Sequence, residues 1–129
     1  MSKKHNPGFL KIVEEAKQGI REETPAEALQ RKKENPAAIL LDIREESEWK
    51  AGHVEAAQYL GRGILERDVE TEFPDMDTEL HLYCGGGFRS ALAAKNLVAM
   101  GYRNVYSVYG GYKGLVEAGA PTRTDSEQS

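Results

Sequence analysis

Cysteine, tryptophan and long apolar runs are scarce in this sequence. The one cysteine, Cys84, excludes an internal disulfide framework and a zinc site built from several thiolates. The longest unbroken apolar run, residues 37–41, is far shorter than the roughly 20 residues that cross a bilayer. The basic residues near the N-terminus are not followed by an apolar segment long enough for a signal peptide. We therefore expect a cytoplasmic protein with no membrane partner.

An excess of positive charge is also absent. The 129 residues include 17 Lys and Arg against 21 Asp and Glu, which gives a net charge of −4. Nucleic-acid-binding domains leave a basic footprint, so the sequence predicts no nucleic-acid partner. The length fits one domain. A content of 40% hydrophobic and 29% charged residues is typical of a soluble globular domain rather than a disordered chain.

Helical and strand-like segments alternate along most of the chain. Thr24, Pro25 and Glu27 form a capping-box pattern that predicts the start of a helix. Short apolar runs bounded by turn residues predict buried strands. The predicted helices cover residues 7–18, 24–33, 64–73, 90–100 and 112–118, with a short helical turn at 45–50, and the predicted strands cover residues 37–43, 57–60, 80–84 and 105–108.

This alternation predicts an α/β fold. Strands that alternate with helices form a parallel sheet with helices on both faces, joined by right-handed crossovers. Ligands of such folds bind at the carboxyl ends of the strands. Cys84 follows the predicted strand 80–84 at this end, so the loop after it is the first place to look for a functional site.

The loop Cys-Gly-Gly-Gly-Phe-Arg-Ser, residues 84–90, carries the strongest chemical signal. Its three glycines permit backbone conformations in which several N–H groups point inward and attract an anion. The helix that begins near Arg89 adds the positive end of its dipole, and Arg89 adds a full positive charge. Each effect stabilises negative charge beside Cys84, so the sequence predicts a reactive thiolate.

Plainer interpretations of these residues stay open at this point. A lone cysteine after an apolar strand is often a buried space-filling residue. A cysteine hydrolase would need a histidine near the thiol to act as a base. His81 precedes Cys84 by three residues on one strand, so the two side chains should point to opposite faces. His53 follows Gly52 in a predicted loop and is expected to be structural, and His5 lies near the N-terminus.

Five short segments resemble, in order, the motifs of the rhodanese-like domain family, whose fold is shared with cell-cycle dual-specificity phosphatases. They are Leu-Asp-Ile-Arg-Glu at 41–45, Gly-His-Val-Glu-Ala-Ala at 52–57, the loop at 84–90, Gly-Tyr-Arg-Asn-Val at 101–105 and Gly-Gly at 110–111. The resemblance implies a three-layer α/β/α domain with a five-stranded parallel sheet of order 1-5-4-2-3. It divides the chain into an N-terminal helical extension (1–19), a rhodanese-like domain (20–121) and a polar C-terminal tail (122–129).

The same resemblance implies sulfurtransferase chemistry without a metal or organic cofactor. Cys84 would take sulfane sulfur from thiosulfate or a persulfide donor, become a persulfide, and pass the sulfur to a thiol or cyanide acceptor. A protein persulfide is a further expected partner. Cys84 and Arg89 are the expected catalytic residues. The expected substrate-binding residues are Gly85, Gly86, Gly87, Phe88 and Ser90.

Two other functions stay as alternatives. A non-catalytic sulfur carrier or binding module would use the same loop without turnover. Phosphatases and arsenate reductases of this fold typically have five residues between cysteine and arginine, whereas four stand here, residues 85–88.

The sequence departs from the family pattern at one position of the loop, and other residues have expected roles outside the reaction itself. Gly85 stands where many thiosulfate-active members carry a basic residue, so a low-molecular-weight or protein persulfide stays open as a better donor than thiosulfate. Phe88 is expected to shield the site, and the helix at 7–18 is expected to pack on the domain. The resemblance also implies structural roles for Asp42 and Arg44.

Overall fold

The computed structural model describes residues 4–124, which form a parallel sheet between helices and a small second sheet. The strands are β1 (Arg21–Glu23), β2 (Ile39–Asp42), β3 (His53–Val54), β4 (Gln58–Tyr59), β5 (Leu80–Tyr83), β6 (Val105–Val108) and β7 (Thr122–Arg123). The helices are α1 (Pro7–Lys17), α2 (Pro25–Glu34), α3 (Glu46–Ala51), α4 (Leu65–Glu72), α5 (Phe88–Met100) and α6 (Gly111–Glu117).

The main sheet has five parallel strands in the order β1-β6-β5-β2-β4. Counted along the chain within that sheet, this is the order 1-5-4-2-3, so the predicted α/β fold and strand order are confirmed. Strand β5 is the central strand and lies between β6 and β2. The carboxyl ends of β2 and β5 are therefore side by side, with Asp42 paired to Tyr83.

Two hydrophobic cores cover the two faces of the sheet and give the domain three layers. One core joins α4 and α5 to the sheet through Leu65, Leu97 and strand residues such as Leu82. The other joins α2 and α6 to the opposite face through Ala28 and Leu115. Because successive strand side chains point to opposite faces, neighbouring residues of β5 serve different cores.

The N-terminal helix packs on the domain, as expected. Helix α1 lies against α5 and buries Val13 and Ala16. None of the helices formed by residues 4–124 is long and apolar enough to cross a membrane.

Local sequence rules account for the start of α2. Thr24 Oγ1 accepts a hydrogen bond from the N–H of Glu27 at 3.1 Å, and Glu27 Oε1 accepts one from the N–H of Thr24 at 2.8 Å. This reciprocal pair is the predicted capping box, and it satisfies two N–H groups that a helix start otherwise leaves unbonded.

The structure differs from the sequence prediction at four places. His53, predicted to lie in a loop, begins strand β3, because it pairs with Arg123 from the far end of the chain. Residues 21–23 were not predicted as a strand, but they form the edge strand β1. Thr122 and Arg123, predicted to lie in the polar tail, pair antiparallel with β3 as β7; residues 125–129 of that tail lie outside the described residues. Helix α5 begins at Phe88 rather than Ser90, because Gly87 at φ +99° turns the chain directly into the helix.

Candidate active site

The loop after β5 is fixed by the ends of two structural elements. Strand β5 ends at Tyr83, and α5 begins at Phe88. Gly87 has a left-handed backbone (φ +99°) that side chains disfavour, and a Cβ there would lie 3.2 Å from the N atom of Gly110. The glycine run therefore lets the chain reverse within four residues and present the start of α5 to Cys84.

The Cys84 side chain is buried and receives hydrogen bonds from the loop backbone. Its Sγ lies 3.1 Å from the N atom of Gly87 and 3.4 Å from that of Ser90, both of which donate N–H groups. The Cys84 S–H donates to Ser90 Oγ at 3.6 Å, and that hydroxyl lies 2.8 Å from Ser107 Oγ. A thiolate at this position would accept the same backbone donors, which favour negative charge on sulfur.

The two remaining glycines line the other side of the loop. A Cβ on Gly85 would lie 3.3 Å from Nη2 of Arg89, and one on Gly86 would lie 3.7 Å from the ring of Phe88. The structure thus brings together all seven residues that the sequence predicted for the site, and Cys84 among them is only 1% exposed.

Arg89 has a partner that the sequence analysis did not identify. Its Nη1 donates to Glu48 Oε1 at 2.9 Å, and its Nη2 donates to Glu48 Oε2 at 3.2 Å. The hydrogen bonds from Arg89 lower the pKa of Glu48 although burial opposes the shift. The same bonds raise the pKa of Arg89, so the loop holds a charged pair rather than a lone cation.

The backbone at Gly110 and Gly111 packs closely against the backbone of the loop. The N–H of Tyr112 donates to the carbonyl oxygen of Cys84 at 2.7 Å. A Cβ on Gly111 would stand only 2.3 Å from that oxygen and 2.6 Å from the carbonyl oxygen of Gly85. The close approach of backbone to backbone requires glycine here, which gives the Gly-Gly motif at 110–111 a physical reason.

Asp42 and Arg44 form a buried ion pair beside the site. Arg44 Nη2 donates to Asp42 Oδ2 at 2.8 Å and to the carbonyl oxygen of Gly52 at 2.6 Å. The guanidinium also lies 4.2 Å from the ring centroid of Tyr112. These contacts tie the end of β2 to the loop before β3 and to α6, which agrees with the structural role expected for both residues.

The two buried histidines are held by groups other than Cys84. Both ring nitrogens of His81 are occupied, by Glu23 at 2.5 Å and by Glu79 at 2.6 Å. His53 stacks on Trp49 with ring centroids 3.4 Å apart, and its Nδ1 lies 2.9 Å from the Trp49 carbonyl oxygen. His81 therefore does not serve the thiol as a base.

The N-terminal segment contacts the loop through Phe88. The Phe88 ring centroid lies 4.4 Å from that of His5 and 6.1 Å from that of Phe9. Lys17 Nζ is 5.6 Å from the Phe88 ring and 5.4 Å from the Tyr109 ring. Phe88 thus joins the loop to α1. No local pattern predicts this contact, because the two segments are far apart in the chain.

The chain is similar in sequence to proteins of one known family. A family model described as Rhodanese-like domain matches residues 24–118. The Pseudomonas putida thiosulfate sulfurtransferase GlpE is 36% identical over 101 residues, which cover 78% of this chain and 87% of that protein. The tRNA uridine(34) hydroxylase of Chlamydia trachomatis is 35% identical over 112 residues. That match covers 77% of this chain but only 32% of the hydroxylase, so the chain spans about a third of that relative's length.

Solved structures show the same fold. The polysulfide-sulfur transferase homodimer of Wolinella succinogenes superposes with a TM-score of 0.76 at 29% identity, covering 91% of this chain and 88% of that one. A Rhodopseudomonas palustris protein of unknown function, named a possible tyrosine phosphatase, gives a TM-score of 0.82 at 30% identity. That match covers 95% of this chain and 99% of the other.

Proposed function

This chain belongs to the rhodanese-like domain family, and on that basis we propose that it is a sulfurtransferase that carries sulfane sulfur as a persulfide on Cys84. The observation that carries the proposal is the pair of backbone N–H groups, from Gly87 and Ser90, that point at Sγ from 3.1 and 3.4 Å. These donors stabilise a thiolate before the reaction and an anionic sulfur after it. Relatives named thiosulfate sulfurtransferase and polysulfide-sulfur transferase support the reaction class.

The proposed first step is attack of the Cys84 thiolate on the outer sulfur of the donor. A bond forms between Sγ and that sulfur, and the donor's own sulfur–sulfur bond breaks. The leaving group is sulfite when the donor is thiosulfate and a thiolate when the donor is a thiol persulfide. In each case it takes the electron pair of the broken bond. The proton of the resting Cys84 thiol goes to solvent before the attack, because only the thiolate is a strong nucleophile.

The second step returns the enzyme to its starting state. A thiolate or cyanide attacks the outer sulfur of the Cys84 persulfide, takes it, and leaves the electron pair on Sγ. We assign the binding of the transferred sulfur to Gly85, Gly86, Gly87 and Ser90. We assign a catalytic role to Arg89, whose guanidinium interacts with Cys84. The hydroxyl of Ser90 would donate to the anionic sulfur while it accepts from Ser107, which already lies 2.8 Å away.

Phe88 has a separate part in this proposal. Its ring lies beside Gly86 on one side and His5 on the other. We assign it to shield the persulfide from bulk water, which would limit loss of the transferred sulfur to side reactions.

The test is the intact mass of the protein after brief incubation with a sulfur donor. Wild type and Cys84→Ser are each treated with thiosulfate and with a small-molecule persulfide. The proposal expects a wild-type species heavier by one sulfur atom, which disappears on addition of a thiol and is absent from Cys84→Ser. No adduct from either donor would refute it.

Turnover separates the enzyme from the alternatives. A sulfurtransferase forms many equivalents of thiocyanate per protein when donor and cyanide are in excess, whereas a carrier stops after one. The name of the Rhodopseudomonas palustris neighbour makes phosphatase activity worth measuring with an aryl phosphate. We expect no phosphate release, because the loop has four residues between Cys84 and Arg89 and Arg89 is already bound by a carboxylate.

A further inference from the structure

Glu48 holds Arg89 in a geometry that leaves the pair without net charge. Both carboxylate oxygens contact the guanidinium, at 2.9 and 3.2 Å. Glu48 Oε1 also accepts the N–H of Glu45 at 3.0 Å, in the capping box of α3. Since the carboxylate is held from two sides, it does not depend on a single flexible contact to stay beside Arg89.

Two further cations, Arg44 and Lys17, also have carboxylate partners. Arg44 pairs with Asp42 at 2.8 Å. Lys17, whose ammonium lies over the Phe88 ring, pairs with Glu22 at 3.6 Å. Each pair places a negative charge near its cation, so the attraction that the loop exerts on an incoming anion is much weaker than Arg89 alone would give.

The backbone N–H groups of the loop, in contrast, are not neutralised by a carboxylate. The N–H groups of Gly87 and Ser90 point at Sγ itself, where they act over about 3 Å on a single sulfur atom. They favour a thiolate or persulfide at that atom. They do not offer the extended positive surface that a dianion with three further oxygens needs.

We propose that Glu48 is a specificity-determining residue that biases the loop against dianionic donors such as thiosulfate and toward persulfides of thiols. This inference rests on the proposed sulfurtransferase function and names its donor class. The favoured step is attack of the Cys84 thiolate on a neutral hydropersulfide, RSSH. It gives the Cys84 persulfide in its protonated form and RS⁻, so one negative charge enters and one leaves, and no oxidant is required.

The sharpest test uses the fact that the chain has one cysteine. Iodoacetate and iodoacetamide alkylate the same thiolate and differ in charge, so the ratio of their rate constants reports the local potential and is independent of how much thiolate is present. In Glu48→Gln the ratio of iodoacetate to iodoacetamide rates should rise roughly fivefold, since a nearby negative charge is lost in a partly solvated site. Glutamine keeps the size and an oxygen acceptor for Glu45 and Arg89.

Two variants serve as matched controls. Glu46→Gln removes the same charge from the same helix, but Glu46 is exposed and pairs with Lys50 instead of Arg89, so its rate ratio should equal that of wild type. Glu48→Asp keeps the charge and shortens the side chain, and its ratio should stay close to that of wild type. A rise in Glu48→Asp as large as that in Glu48→Gln would mean that the position of Arg89, and not the charge of Glu48, is responsible, and would overturn the inference.

The donor experiment completes the test. The rate constants for persulfide formation on Cys84 are measured with thiosulfate and with the persulfide of 2-mercaptoethanol. We expect Glu48→Gln to raise the thiosulfate-to-persulfide ratio by a similar factor of roughly five. An unchanged alkylation or donor ratio would overturn the role of Glu48 alone. If wild-type Cys84 takes up no sulfur from thiosulfate and none from the persulfide, the proposed function and the donor class are both overturned, whatever the alkylation ratio shows.

Discussion

Replacing Gly111 by alanine tests the backbone packing that holds the Cys84 loop. Gly111 has φ +54°, and a Cβ there would lie 2.3 Å from the carbonyl oxygen of Cys84. The left-handed conformation costs a non-glycine residue about 1–2 kcal/mol. The clash adds about 1–3 kcal/mol, as overpacking does elsewhere, because a carbonyl in a closed loop cannot rotate away. We expect Gly111→Ala to lower the free energy of unfolding by about 3 kcal/mol.

Two further glycines separate the contributions of strain and clash. Gly119 also has a positive φ, of +99°, but a Cβ there meets no atom within 4 Å, so Gly119→Ala should lose only the conformational part, about 1–2 kcal/mol. Gly63 has neither feature, and Gly63→Ala should change the stability by less than about 0.5 kcal/mol.

Urea unfolding of the three variants provides the measurement. The urea midpoint should fall most for the Gly111 variant, less for the Gly119 variant and least for the Gly63 variant. The denaturant slopes should not change, since the folded and unfolded states keep their compactness. The Gly111 variant should also form less persulfide on Cys84, because its clash moves the carbonyl that accepts from Tyr112. If Gly111→Ala costs no more than Gly119→Ala, the close approach of the two backbones does not constrain this site and the reasoning is wrong.

Two other predictions concern buried polar groups on the sheet. Burial opposes a charge on His81, but hydrogen bonds to Glu23 and Glu79 outweigh it and raise the pKa of His81. The stability that protonated His81 contributes to the folded state is therefore complete below the unfolded pKa of about 6.5 and is lost as pH rises through the higher folded pKa. We expect His81→Gln to lower the free energy of unfolding more at acidic than at alkaline pH. Equal losses in urea unfolding across the pH range would contradict this. Tyr83→Phe removes the acceptor of the buried Val54 N–H and should cost about 1–3 kcal/mol by the same assay, whereas a change below about 0.5 kcal/mol would show that the bond contributes little.

Local sequence signals were sufficient for most of the fold and for the candidate loop. The capping box at Thr24 and the apolar run that ends before Cys84 act over a few residues, so their effects are readable without a structure. The same holds for the glycines at 85–87, whose backbone freedom is a property of the residue type. The family resemblance added the strand order, which periodicity alone does not provide.

Strand β1 shows why the remaining fold required tertiary contacts. Arg21, Glu22 and Glu23 are charged and have no strand-like pattern, yet they pair with β6. Glu23 is buried because His81 and Arg31 neutralise it from other elements. Long-range pairing overrides local propensity here, since the partners that make burial of a carboxylate tolerable lie far away in the chain.

The candidate site divides along the same line. Local sequence was enough to pick out the residues of the proposed site: a cysteine at a strand end, a glycine-rich turn and an arginine at the start of a helix. The charge and packing around these residues come from long-range contacts: Glu48 pairs with Arg89 from 41 residues away, and Phe9 of α1 packs near Phe88. Electrostatic attraction and packing act through space, so the sequence order of these groups does not record which of them meet.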